Sequence, residues 1–199
     1  MTSKRGVNKA ACKRLAAELR TEIGLSPMDA LDPWRLAELY GIRVIPLSAL
    51  PLRREVHDQF TIVRPEAFSG ALIPIRTGAV IIENDTHPHA RRRSTMGHEL
   101  AHIFGEHKFA TSLVNERGCR LADQVQEEEA AEIGGELLIP FEAAKLLARR
   151  KATNEEVAFQ FGVSKDLARW RMDATGARLI ASRQAAVYRR AKSEWTPMA

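Results

Sequence analysis

Apolar positions first fall into a helical rhythm over residues 8–23, where Ala11, Leu15, Leu19 and Ile23 share one face. The stretch "LDPWRLAELYGI" carries its own start and stop signals. Asp32 stands at the N-cap, Pro33 at the first helical position and Gly41 just past the end, which predicts a short helix over about residues 33–40. The pattern then shifts to β-rich pieces: "RVIPL", "DQFTIV", "SGALIPI" and "AVIIEN". "RTG" between the last two predicts a hairpin turn. Pro74 marks the strand ahead of that turn as an edge strand, because proline donates no hydrogen bond to a ladder.

After "NDTHPHA" the rhythm is helical and stays so. It predicts a helix over residues 91–104, a loop over 105–122, and a helix through "QVQEEEAAEIGGELLIP" that stops near Pro140. "FEAAKLLARR" is a further short helix. "TNEEVAFQFGVSKDLARWRMDATG" reads as helix, turn at Gly162 and helix, with a Thr153–Glu156 capping box and Ser164 as the second cap. A last helix covers about residues 178–194. Strands precede helices, so the expected class is α+β. Three segments are expected: an N-terminal helix in residues 1–30, an α+β domain in 31–150, and a helical, helix-turn-helix-like segment in 151–199 packed on it.

Composition narrows the function classes. The chain has 199 residues and a 45% hydrophobic fraction, enough for a real core. No apolar run approaches the roughly 18 residues that a membrane span needs, so no membrane role is expected. Charges interrupt every apolar run of "MTSKRGVNKAACKRLAAELR", which argues against a secretory signal. Cys12 and Cys119 are too few for a disulfide framework, and they read as packing residues of a cytoplasmic protein. The net charge of +5 is modest, and most of it reads as solvated helix faces.

The chemistry is concentrated in "GHELAHIFGEH". His98, Glu99 and His102 spell H-E-x-x-H, a pattern that arises by chance in about one chain in a hundred of this size. Four residues is one helical turn, so both imidazoles point to one side and can share one zinc ion. Glu99, one residue further round, reaches a water on that ion rather than the ion itself. Zinc brings the pKa of such a water toward about 7, and the carboxylate accepts its proton as general base. Two histidines do not complete a site. His107 almost fits a histidine-completed pattern, but that pattern needs its third histidine one residue later, where Lys108 stands. On a continued helix His107 would lie about 140° round from His102. The other source is a carboxylate on the next helix, where "QVQEEEAAEIGG" offers Glu127, Glu128, Glu129 and Glu132. Glu127, Ala131, Gly134 and Leu138 share one face there, and its small residues would let that helix pack closely on the motif helix.

Taken together, "AVIIEND", "RRRSTMGHELAH" and "EEEAAEIGGELLIP" resemble the ImmA/IrrE metallopeptidase family over about residues 30–180. Arg91, Arg93, Thr95, His98, Glu99, His102, Glu127, Ala130, Leu137, Leu138 and Pro140 match the family pattern in order. The resemblance implies a small zincin-like domain with a short mixed sheet. It implies one zinc ion held by His98, His102 and Glu127, with Glu99 as base. A register shift of one residue would make Glu128 the third ligand instead. Two departures stand out: Ala131 replaces the family's Asn or Asp, and Ile133-Gly134-Gly135 replaces its Phe-Ala-Ala. Such a polar residue orients a ligand histidine, so that support must come from elsewhere or the site is weaker.

The remaining residues have subordinate expectations. Arg91 and Arg93 anchor the start of the motif helix to acidic groups or carbonyls, with Arg93 a further candidate for substrate contact. His107 is a candidate for contact with the transition state. His87 and His89 read as polar loop residues. Lys165, Arg169 and Arg171 lie on the would-be recognition helix, where DNA binding is weighed against simple packing on the core. The family resemblance implies a zinc-dependent endopeptidase that cleaves a specific protein, a helix-turn-helix repressor, in a stress response or mobile element. The alternatives are a non-catalytic DNA- or repressor-binding regulator and a component of a toxin–antitoxin or phage module.

Overall fold

The structure is a computed structural model that describes residues 7–76, 78–107 and 124–194. Thr77 of the expected hairpin turn, Lys108, Cys119 and most of the expected 105–122 loop lie outside the described residues.

Helix α1 (Lys9–Glu22) is capped by the Asn8 side chain, which accepts from the Ala11 amide. Helix α2 (Pro33–Leu39) is started by the Asp32 carboxylate, which accepts from the amides of Trp34 and Arg35. It ends where Gly41 takes φ +65°, a left-handed conformation that suits glycine. Strand β1 (Arg43–Pro46) leads into the short helix α3 (Arg54–Asp58), which continues as a π turn over Gln59–Val63. Strands β2 (Gly70–Ile75) and β3 (Gly78–Glu83) complete a three-stranded sheet in the order β1-β3-β2. β1 runs parallel to β3 with Val44 opposite Ile81, and β2 runs antiparallel with Leu72 opposite Ile81. Pro74 therefore lies on an edge strand, as its missing donor requires.

"DQFTIV" is helical rather than a strand. Its β-rich composition predicts a strand, but the sheet consists of β1, β3 and β2 without it. Local bonds take over instead. The Thr61 hydroxyl donates to the His57 carbonyl, and the Asn84 amide donates to the carbonyls of Phe60 and Phe68.

The rest is helical. α4 (His89–Phe104) carries the H-E-x-x-H residues and α5 (Gln124–Leu138) the acidic run. α6 (Phe141–Arg149), α7 (Asn154–Phe161), α8 (Lys165–Ala174) and α9 (Ala177–Glu194) follow. The expected capping box forms between Thr153 and Glu156, Gly162 takes the left-handed turn, and Ser164 caps α8. The molecule is thus α+β, a small mixed sheet with a helical remainder. Cys12, Ala16 and Leu19 of α1 share one buried cluster with Met96 and Leu100 of α4, Ile133 and Leu137 of α5, and Ala168 and Met172 of α8. Among the described residues no helix is long and apolar enough to cross a membrane.

Two features of this core set the position of α5. The first is its crossing with α4. A Cβ on Gly134 would lie 2.9 Å from the Gly97 carbonyl oxygen, and a Cβ on Gly97 would lie 2.5 Å from a Leu138 methyl carbon. The helices meet backbone to backbone, which only glycine allows. The second is Arg171, 2% exposed, whose Nε donates to the Ile139 carbonyl at 2.9 Å. Its guanidinium pairs with Glu132 at 3.4 Å and with Glu136. Burial draws its pKa down to about 10, against the pull of Glu132.

Both features make predictions for chemical unfolding. Gly134→Ala removes a helix-weakening glycine, which alone would add about 1 kcal/mol. The backbone clash costs more, so a net loss of about 1–2 kcal/mol is expected. Arg171→Leu strands the buried carboxylate of Glu136, leaves Glu132 with Lys9 alone, and should cost about 3–5 kcal/mol. Urea titrations followed by circular dichroism check both values.

Candidate metal centre

The crossing of α4 and α5 brings the sequence-predicted residues together. His98 and His102, one turn apart on α4, stand edge to face with ring centroids 4.7 Å apart. Their Nε2 atoms are 3.1 Å from each other. Glu127, in the first turn of α5, sends Oε2 to 3.2 Å from His98 Nε2 and Oε1 to 3.6 Å from His102 Nε2. One donor atom from each residue falls within a common span of 4.8 Å. His102 is buried, while His98 and Glu127 are about one-third exposed, so the cluster opens to solvent on one side.

The donor set can be tested against a metal by geometry. Zinc–ligand bonds of about 2.0–2.1 Å at tetrahedral angles set neighbouring donors roughly 3.3 Å apart. The observed separations of 3.1, 3.2 and 3.6 Å bracket that value. Two histidines and a carboxylate leave a fourth tetrahedral position open. The residues fit a catalytic type of zinc centre.

The other glutamates are committed elsewhere. Glu128, the alternative third ligand, is exposed and accepts from the Gln124 side chain. Glu132 pairs with Lys9 and Arg171. Glu127 is the one that the helix crossing turns toward the histidines. Glu99 is 4% exposed and sits beside the start of β2: a Cβ on Gly70 would lie 2.7 Å from Thr95 Cγ2 and 3.7 Å from Glu99 Cγ.

His107 and Arg93, the candidates for transition-state and substrate contact, both engage groups of the protein itself. His107 is buried, and its Nδ1 lies 2.9 Å from Nδ1 of His102, on the side of that ring away from Glu127. The reason is the end of α4. Gly105 stops the helix, Glu106 takes φ +52°, and the His107 amide donates back to the His102 carbonyl. An extrapolated helix could not show this reversal. Arg93 donates to the Leu31 carbonyl at 2.6 Å and lies against Gly162, so it ties α4 to two loops. Its neighbours do similar work. Arg91 donates to the Ser69 hydroxyl, and Arg92 pairs with Glu83 at 2.6 Å while lying over the Trp34 ring. The acidic anchor of the motif helix is thus Glu83, held also by Trp34 Nε1, and the pattern of the strand alone gave no sign of it. His87 lies in the loop ahead of α4 and His89 is the first residue of that helix. His87 Nε2 meets the Pro65 carbonyl at 2.8 Å and His89 packs on Trp34.

A mixed sheet, a histidine-bearing helix and a carboxylate on a second helix together build a candidate metal site. The profile of the IrrE N-terminal-like domain family, peptidase M78, matches residues 37–173, more than half of the chain. The protein belongs to that metallopeptidase family. No curated protein matches the chain.

Ala131, where the family pattern has Asn or Asp, lines a cavity of about 150 Å³ with His98, Gly134, Gly135, Leu138 and Trp170. The small side chain leaves room beside His98 rather than a partner for it. Metal binding separates the glutamates cleanly. Glu127→Gln should weaken zinc binding by more than the roughly 10–100-fold typical of losing a group that only supports a ligand. Glu128→Gln should leave it unchanged, as read by chelator competition.

Proposed function

We propose that the protein is a zinc-dependent endopeptidase that cleaves a specific protein. The observation that carries this reading is the convergence of His98, His102 and Glu127 beside the buried carboxylate of Glu99. Zinc, when bound, supplies Lewis acidity that makes a water nucleophilic near neutral pH and polarises a carbonyl. The two imidazoles and one carboxylate offer three lone-pair donors and a single negative charge, which suits a dication with one position open for chemistry. Glu99 takes a proton from the attacking water and returns it to the departing amine. A C–O bond forms, the C–N bond breaks, and the amine leaves neutral.

The sheet edge supports an extended substrate. Among the described residues β2 pairs with β3 alone, and its first residue lies beside Thr95 and Glu99. A peptide laid along that edge would carry its backbone past the metal centre. The substrate we propose is a helix-turn-helix transcriptional repressor in the cytoplasm, whose loss relieves repression of a stress response or mobile element. This part rests on the family resemblance. A second reading is a DNA- or repressor-binding regulator. The exposed Lys165 and Arg169 on α8 favour it, but Arg171 on the same helix is buried against α5 and withdrawn from any such surface.

The test pairs metal analysis with incubation against the repressor encoded next to the gene. Glu99→Gln should retain stoichiometric zinc and lose about 10²–10⁴-fold in cleavage rate. A folded preparation that takes up no zinc would falsify the enzyme reading. DNA binding that disappears in Arg169→Ala, with no cleavage in the wild type, would establish the regulator instead.

A further inference from the structure

His107 is a buried polar residue with two ring nitrogens to account for. Its Nδ1 lies 2.9 Å from Nδ1 of His102, with the rings at 76° and their centroids 5.0 Å apart. Two neutral imidazoles in that contact must divide the roles, one donating and one accepting. His102 decides which. Its Nε2 is the nitrogen that faces His98 and Glu127, so a metal needs the lone pair there. The His102 ring proton must then reside on Nδ1, which donates to Nδ1 of His107. That leaves the His107 proton on Nε2. Among the described residues this atom has no hydrogen-bond partner, and the group it faces is Oε2 of Glu129 at 3.7 Å. The distance is long for a direct hydrogen bond, and the attraction is that of a partial positive charge toward a carboxylate.

The surrounding chain is shaped to this arrangement. A Cβ at Gly105 would lie 2.7 Å from His107 Nε2 and 2.9 Å from the Ala101 carbonyl oxygen, so the ring occupies space that only glycine leaves open. The left-handed turn at Glu106 swings the chain back, and the His107 amide donates to the His102 carbonyl at 3.1 Å. Both the backbone and the ring of His107 therefore engage His102. On the far side of Glu129, Cys12 Sγ approaches Oε1 at 4.0 Å. Burial raises the Cys12 pKa and so does the charge of Glu129, which keeps the thiol a neutral donor.

We propose that His107 is a positioning residue for the metal centre: it accepts the Nδ1 proton of His102, turns its own Nε2 proton toward Glu129, and thereby fixes the tautomer and direction of His102. The proposal rests on the reading of His98, His102 and Glu127 as metal ligands. A ligand histidine gains basicity and a fixed orientation when its other nitrogen donates to an acceptor. In this chain the acceptor for His102 comes from the helix end, five residues along the same helix's chain, and the carboxylate behind it comes from α5.

The test uses the full chain and zinc as the probe. His107→Leu fills the space without an acceptor and should weaken zinc binding about 10–100-fold. His107→Asn puts Oδ1 near the place of Nδ1 and should recover affinity to within about threefold of wild type. Glu129→Gln should fall between the two. Thermal unfolding of the metal-free variants checks that each is folded. A His107→Leu variant that binds zinc as tightly as the wild type overturns the proposal, and so does an Asn variant as weak as the Leu variant. A wild type that binds no zinc overturns the metal reading and the relay with it, whereas an effect absent only from the variants overturns the relay alone. Should His107→Leu not fold, long-range proton–nitrogen spectra of the histidines decide on the wild type, recorded where imidazole is neutral. Protons on His102 Nδ1 and His107 Nε2 are expected, and a proton on His102 Nε2 in the zinc-loaded protein is the contrary result.

Discussion

The meeting of His98, His102 and Glu127 depends on a place where two helix backbones touch. At Gly97 and Gly134 there is no Cβ on either side, and one would lie 2.9 Å from the opposing carbonyl oxygen if Gly134 carried it. A glycine inside a helix weakens it by about 1 kcal/mol relative to alanine, so two of them are a real cost. The return is reach. His98 is the next residue after Gly97, and Glu127 lies about two turns before Gly134 on α5. A carboxylate on a short glutamate stem can meet two imidazoles only if the helix axes are held this close. Gly134 thus permits the close crossing, and the Leu138 side chain packs into the space left at Gly97.

The other constraint on the site is the direction of α4. Three successive arginines at its start look like a cationic run, yet each has a separate destination within the fold. Arg91 goes to Ser69, Arg92 to Glu83 and Arg93 to the Leu31 carbonyl. Successive residues project about 100° apart round a helix, so one short basic stretch can brace the helix against the sheet, the loop before β2 and the loop before α2. The charge run is therefore a scaffold, and little of it is available to a polyanion. The same holds for Arg171, which would have faced outward had α8 been a free recognition helix.

Much of this was legible in the chain. Asp32 with Pro33, Thr153 with Glu156, Ser164, and the left-handed Gly41 and Gly162 are local signals whose geometry depends on few neighbours, and they mark the ends of α2, α7 and α8. The four-residue spacing of His98 and His102 is equally local. What failed was non-local. "DQFTIV" is composed like a strand, but the carbonyls of Phe60 and of nearby Phe68 are taken by the side chain of Asn84, a partner distant in sequence. Glu83 carries no local mark of its pairing with Arg92 and Trp34. The contact of His107 with His102 was not legible, because its place follows from where α4 stops. Gly105 hints at that stop, while the left-handed Glu106 that completes it is a residue type rarely found in that conformation.

Helix α5 is gripped at its C-terminal end from two sides. Arg20 of α1, 3% exposed, donates to the Leu137 carbonyl and to the carbonyls of Ser26 and Asp29, while Arg171 of α8 donates to the Ile139 carbonyl. These two cations meet the carbonyls that a helix end leaves without intrahelical partners, where its dipole is negative. Arg171 lies within the family-matched residues 37–173, but Arg20 lies before them. The family-matched stretch is consequently smaller than the set of elements that holds α5 in place. A fragment trimmed to the matched residues would keep His98, His102 and Glu127 and yet lose one of the two clamps on the helix that presents Glu127.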